Sequence, residues 1–304
     1  MALGYQRNLY LLAFDHRASF SKNLFGITGE PTPEETDRVT DAKWVIYEGY
    51  AQAIQGKEDT DELGILVDEH YGADIARMAK SAGAKLAMPV EKSGQDEFDF
   101  EFGEAFGEHI VAFDPDFAKV LVRYNPDGDA EMNARQAARL KRLGDWLHER
   151  DRKYLFELLV PATPAQLEAV GGDADRYDLE VRPELMVRTI AELQEAGVEG
   201  DIWKIEGIDK PEDCKRIGEQ ARAGGRDEVA CIVLGRGANT EKVDHWLKVG
   251  AATPGYQGFA IGRTIWWDAL TGWRDGDLSR EAAAAQIAER YQHAIDVYRA
   301  ASNG

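Results

Sequence analysis

Cysteine is nearly missing from this chain. Its 304 residues hold two, Cys214 and Cys231, with neither CxxC nor Cys/His spacing. That excludes a disulfide framework and a structural zinc site, and Cys231, inside an apolar run, reads as a small core residue. The six histidines do not cluster as metal ligands, so neither a catalytic metal nor a cofactor is expected. His16 falls at a strand end, His70 begins a helix, and His148, His245 and His293 read as helix-surface residues. No run approaches the ~18 apolar residues of a membrane span. The N-terminus lacks a basic-then-apolar signal pattern, so a soluble, cytoplasmic protein without a membrane partner is expected. Positive charge is in deficit, with 36 Lys and Arg against 55 Asp and Glu, a net charge of −19. Nucleic acid is therefore a poor partner. Any anionic ligand needs a local basic site. No dinucleotide fingerprint follows the first strand, which disfavours an open nucleotide-binding sheet. No repeat or linker divides the chain.

What is present is an alternation of short apolar runs and amphipathic segments. Eight runs have strand length, near 9–14, 64–69, 85–90, 117–124, 154–160, 201–208, 229–234 and 258–263. Helical spacing or capping marks 33–55, 73–82, 130–150, 183–196, 209–223, 240–249 and a C-terminal stretch with Ile287, Tyr291, Ile295 and Tyr298 on one face. Thr32-Pro33-Glu34-Glu35 carries an N-cap, a proline at the first helical position and a capping-box glutamate. The acidic, aromatic stretch from Gln95 to Phe106 reads as a loop. Alternating β and α segments imply a parallel sheet, and eight units at this length predict one (β/α)8 barrel over residues 1–304.

Charges gather where such a barrel builds its active face, at the C-terminal strand ends. Asp15 and Arg17, Asp68 and Glu69, Glu91 and Lys92, Arg123, Glu157, Lys204 and Glu206, Arg236 and Arg263 all fall there. Some are solvated loop charges. Lys204 and Glu157 interrupt apolar runs, and strand alternation turns both inward. Lys119, Leu121 and Arg123 share the inner face of the preceding strand. A buried lysine loses its proton more readily and becomes an imine-forming nucleophile. Glu157 is then the acid/base and Lys119 a second cation that disfavours protonation of Lys204. A structural ion pair of Lys204, with Glu206 or another carboxylate, is the alternative. The last two strand ends, Gly235-Arg236-Gly237 and Gly262-Arg263, suit a phosphate, because glycine opens backbone N–H groups and arginine offers a bidentate fork.

Six segments carry a family resemblance: Leu9-Tyr-Leu-Leu-Ala-Phe-Asp-His-Arg17, Val90-Glu-Lys-Ser-Gly94, Lys119-Val-Leu-Val-Arg-Tyr-Asn125, Phe156-Glu-Leu-Leu-Val-Pro161, Trp203-Lys-Ile-Glu206 and Ala260-Ile-Gly-Arg263. Through them the chain resembles the class I aldolase-like C-terminal domain of bacterial 5-dehydro-2-deoxygluconokinase-type proteins, associated with 2-deoxy-5-keto-gluconate 6-phosphate. It is also similar to tagatose-1,6-bisphosphate and sulfofructose phosphate aldolases. The resemblance implies a Schiff base at Lys204, acid/base work at Glu157, and a supporting lysine at Lys119. It implies that Asp15 and Arg17 orient substrate hydroxyls and that Gly262 and Arg263 hold phosphate.

The expected activity is a class I aldolase that cleaves a phosphorylated ketose or keto sugar acid to dihydroxyacetone phosphate, or a related three-carbon product, and an aldehyde. 6-Deoxy-6-sulfofructose 1-phosphate is among the substrates so implied. Arg17, Lys92 and Arg123 are expected to receive a second anionic group, and Glu206 to orient or neutralise near the strand end. The protein is expected to be a homo-oligomer. A sugar-phosphate-binding barrel without turnover, and a sugar-phosphate isomerase or epimerase using Glu157 as base, use many of the same residues.

Overall fold

The computed structural model describes residues 2–302. β1 (Leu9–Ala13) is followed by α1 (Ala18–Phe25) and α2 (Pro33–Ile54), then β2 (Leu63–Leu66) and α3 (Glu69–Ser81). β3 (Lys85–Pro89) leads through a long loop to α4 (Phe106–Phe113), then β4 (Phe117–Arg123), α5 (Ala130–His148) and β5 (Lys153–Leu159). α6 (Pro164–Ala169), α7 (Ala174–Glu180) and α8 (Arg182–Glu195) precede β6 (Ile202–Glu206) and α9 (Pro211–Ala221). β7 (Ala230–Leu234), α10 (Thr240–Ala251), β8 (Tyr256–Ile261), α11 (Arg263–Asp275) and α12 (Arg280–Ser302) complete the chain. The eight strands pair in sequence order, all parallel, and β8 closes on β1. This is the single closed barrel that the alternation predicts.

Helix starts follow their local chemistry. Thr32 caps α2 with a full capping box and Pro33 opens it. Asp129 caps α5 by accepting from the Met132 N–H. α5 buries Leu140, Leu143 and Leu147, and α12 buries Ile287, Tyr291, Ile295 and Tyr298, as their spacing predicts.

Four structural features depart from the sequence reading. The stretch after Arg17 forms α1, where no helix was expected. The acidic loop ends in α4, and α6 and α7 are inserted after β5. α11 follows β8 directly. These helices have 6 to 13 residues, and the shortest leave too few turns for a periodic signal.

Period-two alternation divides the strands between two cores. Tyr10, Leu12, Val120, Val122, Phe156, Trp203 and Ile205 face the helices. Leu9, Leu11, Ala13, Leu66, Ala87, Phe117, Leu155, Ile202, Ala230, Ile232 and Ala260 fill the barrel. Tyr5 covers its lower end, edge-on to Phe117 with ring centroids 5.2 Å apart.

Asp201 fastens that end. Its buried carboxylate accepts from the backbone N–H groups of Gly4 and Tyr154, each at 2.8 Å, and from Lys153 Nζ at 2.9 Å. His148 Nε2 lies 3.0 Å away. Burial opposes the Asp201 charge, but these donors outweigh it and hold the carboxyl below its usual range. We predict that Asp201→Ala lowers the unfolding free energy at pH 7 by about 3 kcal/mol, because two N–H donors and a lysine lose their acceptor. A depressed folded pKa stabilises above the unfolded value of about 3.9, and that contribution disappears as pH falls through the folded value. The gap between the two proteins in urea unfolding should therefore begin to narrow as pH falls below about 4. A constant gap across that range contradicts the assignment.

Candidate active site

The inner rows of five strands turn from apolar to charged near their C-terminal ends. β1 runs Leu9, Leu11, Ala13 and on to Asp15. β3 runs Ala87, Pro89 and on to Glu91. β4 presents Phe117, Lys119, Leu121 and Arg123, β5 Leu155 and Glu157, and β6 Ile202, Lys204 and Glu206. Glu157 and Lys204 are register partners on adjacent strands, so their side chains meet across the barrel wall. Lys204 Nζ lies 3.0 Å from Glu157 Oε2. The same oxygen lies 3.0 Å from Lys119 Nζ, which also contacts Asp15 Oδ2 at 2.8 Å and Glu91 Oε1 at 2.7 Å. Lys204, Glu157 and Lys119 are 4%, 6% and 1% exposed, which makes this a buried polar network.

Burial opposes the charge on Lys119, but Asp15, Glu157 and Glu91 more than compensate and push its pKa up. Asp15 and Glu157 are likewise disfavoured as anions by burial, yet Lys119 holds both below their usual range. Glu91 goes the other way, since burial raises its carboxyl more than Lys119 and Arg17 lower it. His16 stands at the rim with its imidazole lowered to about 4 by burial, against the pull of Asp15, so it is neutral near pH 7. Lys119 is thus ringed by three carboxylates. The carboxylate beside Lys204 is Glu157. Glu206 instead accepts from the Val160 N–H at 3.0 Å and pairs with Arg236 at 3.1 Å and Arg182 at 3.6 Å.

Two supports outside the barrel aim these groups. Lys43 of α2 is fully buried and donates to the carbonyls of Phe14 at 2.8 Å and His16 at 3.0 Å, and to Asp68. The two carbonyls flank Asp15, so Lys43 fixes the backbone that directs Asp15 toward Lys119. Asp68, which the sequence placed among the strand-end charges, serves this outer contact and caps α3 through the Tyr71 N–H. Glu69 pairs with His109. The acidic loop is the second support. Its Phe98 and Phe100 are buried, and Phe100 forms an isolated antiparallel bridge with Glu91. Glu101 reaches back to Arg17 at 2.9 Å, and Arg17 Nη2 donates to the Glu91 carbonyl at 2.8 Å.

Two cavities open from the network. A larger one of about 640 Å³ holds Gly235, Arg236, Gly237, Gly262 and Arg263 on its wall, with Leu167 and Tyr177 from the inserted helices. A smaller one of about 160 Å³ is lined by Asp15, Arg17, Glu91, Lys92, Lys119 and Arg123, among others. Lys204 and Glu157 border both. In the larger cavity the first turn of α11 begins at Gly262. A Cβ there would stand 2.3 Å from the Ala13 carbonyl oxygen, so only glycine permits this approach. Trp266 Nε1 donates to the same Ala13 oxygen at 2.9 Å and ties the helix to β1. Arg263 is exposed and donates to the Arg236 carbonyl at 3.0 Å. Gly237 turns with φ 74°, and backbone N–H groups and a helix N-terminus together suit an anion.

The sequence-predicted residues thus divide. Lys204, Glu157, Lys119 and Asp15 form one network. Arg17, Lys92 and Arg123 border the smaller cavity, but Arg17 is held by Glu101 and Arg123 donates to the Gln95 carbonyl at 2.8 Å. Gly235, Gly262 and Arg263 meet at the larger one. Arg236 borders it too, with φ 53° and its guanidinium held by Asp178 and Glu206, so it offers less free positive charge than its motif implies. Glu101, Lys43 and Asp178 belong to the arrangement without having been assigned to it, and Glu91 was placed at the active face without a role. Of these four only Glu91 had a sequence signal, its place as a charge at a strand end.

Tagatose 1,6-diphosphate aldolase 2 of Enterococcus faecalis is 24% identical over 280 residues, 84% of this chain and 78% of that protein. Among solved structures, the fold is similar to a fructose-bisphosphate aldolase from Plasmodium falciparum with a TM-score of 0.66, at 15% identity over 96% of this chain and 91% of the other. It is similar as well to a Schiff base forming fructose-1,6-bisphosphate aldolase with a TM-score of 0.55, at 15% identity over 94% and 93%. A family match spans residues 4–302, and the chain belongs to that family, DUF2090, described as an uncharacterized protein conserved in bacteria.

Proposed function

We propose that this protein is a class I aldolase that cleaves a phosphorylated ketose or keto sugar acid. The observation that carries the reading is Lys204, buried inside the barrel, 3.0 Å from Glu157 and placed where the two cavities meet. The activities named for the tagatose 1,6-diphosphate relative and for the Schiff base forming structural neighbour support it.

In this reading the phosphate rests against Gly235, Gly237, Gly262 and Arg263 and positions the ketone beside Lys204. The lysine amine adds to the ketone carbon, and loss of water leaves an iminium. Glu157 takes the proton of the C4 hydroxyl. The C3–C4 bond breaks, its electron pair enters the iminium to give an enamine, and the aldehyde departs. The proton returns to C3, and water hydrolyses the iminium to free the amine and dihydroxyacetone phosphate. Lys119 keeps Asp15 ionised, keeps Glu157 ionised until it takes that proton, and holds both aligned.

Borohydride trapping tests the reading. Reduction in the presence of dihydroxyacetone phosphate should attach that ketone to the Lys204 peptide as a stable secondary amine, seen by mass spectrometry. An unlabelled Lys204 would sink the mechanism. Product analysis by carbon number tests the cleavage, since an isomerase or epimerase preserves chain length and a binding barrel forms no product.

A further inference from the structure

Arg236 stands on the wall of the larger cavity, yet its guanidinium is already engaged. Nη1 donates to Asp178 of α7, and Nε lies 3.1 Å from Glu206 Oε1. Its backbone is left-handed, with φ 53°, a conformation that a residue with a Cβ adopts at a cost. The arginine side chain is 35% exposed and that of Asp178 23%, so both are within reach of a ligand. The neighbouring Arg182 differs. It is buried, and it pairs with Asp178 at 3.0 Å and with Glu206 at 3.6 Å. Its Nη2 donates to the Gly207 carbonyl at 3.1 Å. Asp178 therefore keeps a fixed cation when Arg236 turns away. Space for that movement exists on both sides. Asp178 and Arg236 line the larger cavity and also a second one of about 660 Å³, bounded further by Asp209, Lys242 and Trp246.

We propose that Asp178 competes with the substrate phosphate for the Arg236 guanidinium, so that α7 carries a built-in competitor that holds phosphate affinity down. The inference rests on the aldolase reading only in placing a phosphate at Gly235, Gly237, Gly262 and Arg263, and it adds a control on that site. An arginine fork binds carboxylate and phosphate through the same N–H donors, so one engagement excludes the other. Glu206 is the fixed partner, because its Oε2 accepts from the Val160 N–H at 3.0 Å. Nη1 is then the donor that is exchanged. The exchange is local. Tyr177 donates its hydroxyl to the Val160 carbonyl at 2.8 Å and keeps α7 against the end of β5 whichever anion Arg236 holds. Asp178 also opposes an arriving dianion through its field. The contact with Arg236 is a separate, directional effect, and a double-mutant cycle isolates it. A phosphate that must displace Asp178 binds more weakly, and the contact re-forms as product leaves.

The test is titration of inorganic phosphate into the whole chain by isothermal calorimetry at fixed salt. Asp178→Asn should tighten phosphate binding about tenfold, the scale of one charge-assisted hydrogen bond to a partly exposed arginine. The asparagine oxygen still accepts from Arg182, so α7 should keep its place. In an Arg236→Ala background the same Asp178→Asn change should alter affinity by less than about threefold. If Asp178→Asn does not fold, Asp178→Ala gives the same comparison. The expected gain sets a competitor apart from a structural prop, whose loss weakens binding. Unchanged or weaker binding with Arg236 present overturns the proposal. A gain of equal size in both backgrounds also overturns it, because Asp178 would then act through its field alone. So does phosphate that binds neither the wild type nor Asp178→Asn. Borohydride trapping of dihydroxyacetone phosphate on Lys204, run on the same proteins, reads the aldolase mechanism separately. Its absence overturns that mechanism, while the phosphate titrations still judge Asp178.

Discussion

Lys204→Met is expected to lower kcat for ketose cleavage by about 10^5-fold, the scale lost when a covalent nucleophile is removed. The methionine stem fits the space of the lysine chain, but no imine forms. Glu157 remains paired with Lys119 at 3.0 Å, so the network keeps a counter-ion and the fold should survive. Triose phosphate release in a coupled assay reads the loss, and a thermal melt close to wild type shows that the loss is chemical. Binding of dihydroxyacetone phosphate should weaken far less than turnover, because the groups around Gly235, Gly262 and Arg263 are untouched. A variant that keeps more than about a hundredth of wild-type turnover is incompatible with covalent catalysis at this lysine.

Glu157→Gln is expected to lower kcat by about 10^2- to 10^4-fold, the usual contribution of a positioned acid/base. The amide occupies the same volume and can still accept from Lys119 or Lys204. It cannot take the proton released when the C3–C4 bond breaks. Rapid-quench trapping separates the two steps. Borohydride should capture substrate-derived carbon on Lys204 while aldehyde release is slowed. Equal slowing of trapping and release would place Glu157 in imine formation alone. Near-wild-type release would remove it from the chemistry.

The two substitutions differ because Glu157 sits between two lysines. Removing Lys204 leaves a buried carboxylate with one partner. Removing the charge of Glu157 leaves two buried lysines facing a neutral amide. Lys119 retains Asp15 and Glu91, whereas Lys204 loses its nearest carboxylate. Some loss of stability should therefore accompany Glu157→Gln, and an uncompensated buried charge typically costs about 3–5 kcal/mol.

Much of this arrangement was legible in the residue order. Strand alternation turned Lys119, Glu157 and Lys204 inward, since period two leaves a strand residue one of two faces. The barrel followed from eight alternating units, and the glycine-arginine pairs marked the two last loops. The partner of Lys204 was open between Glu206 and another carboxylate. Glu206 is two residues further along β6 and is taken by Arg236 and Arg182, whereas register puts Glu157 directly beside Lys204. Register between strands 47 residues apart depends on barrel stagger, which local pattern does not encode.

By itself the sequence determined the alternation, the inward lysine and carboxylates, and the lack of disulfide or zinc spacing, because each depends on residues a few positions apart. Only the tertiary structure decided which charges meet. It set three carboxylates around Lys119, turned Asp68 outward to Lys43, engaged Arg236 with Asp178 and Glu206, and left one oxygen of Glu91 free. Those choices depend on distances between elements far apart in the chain, and electrostatic energy in a dry interior changes steeply over such distances.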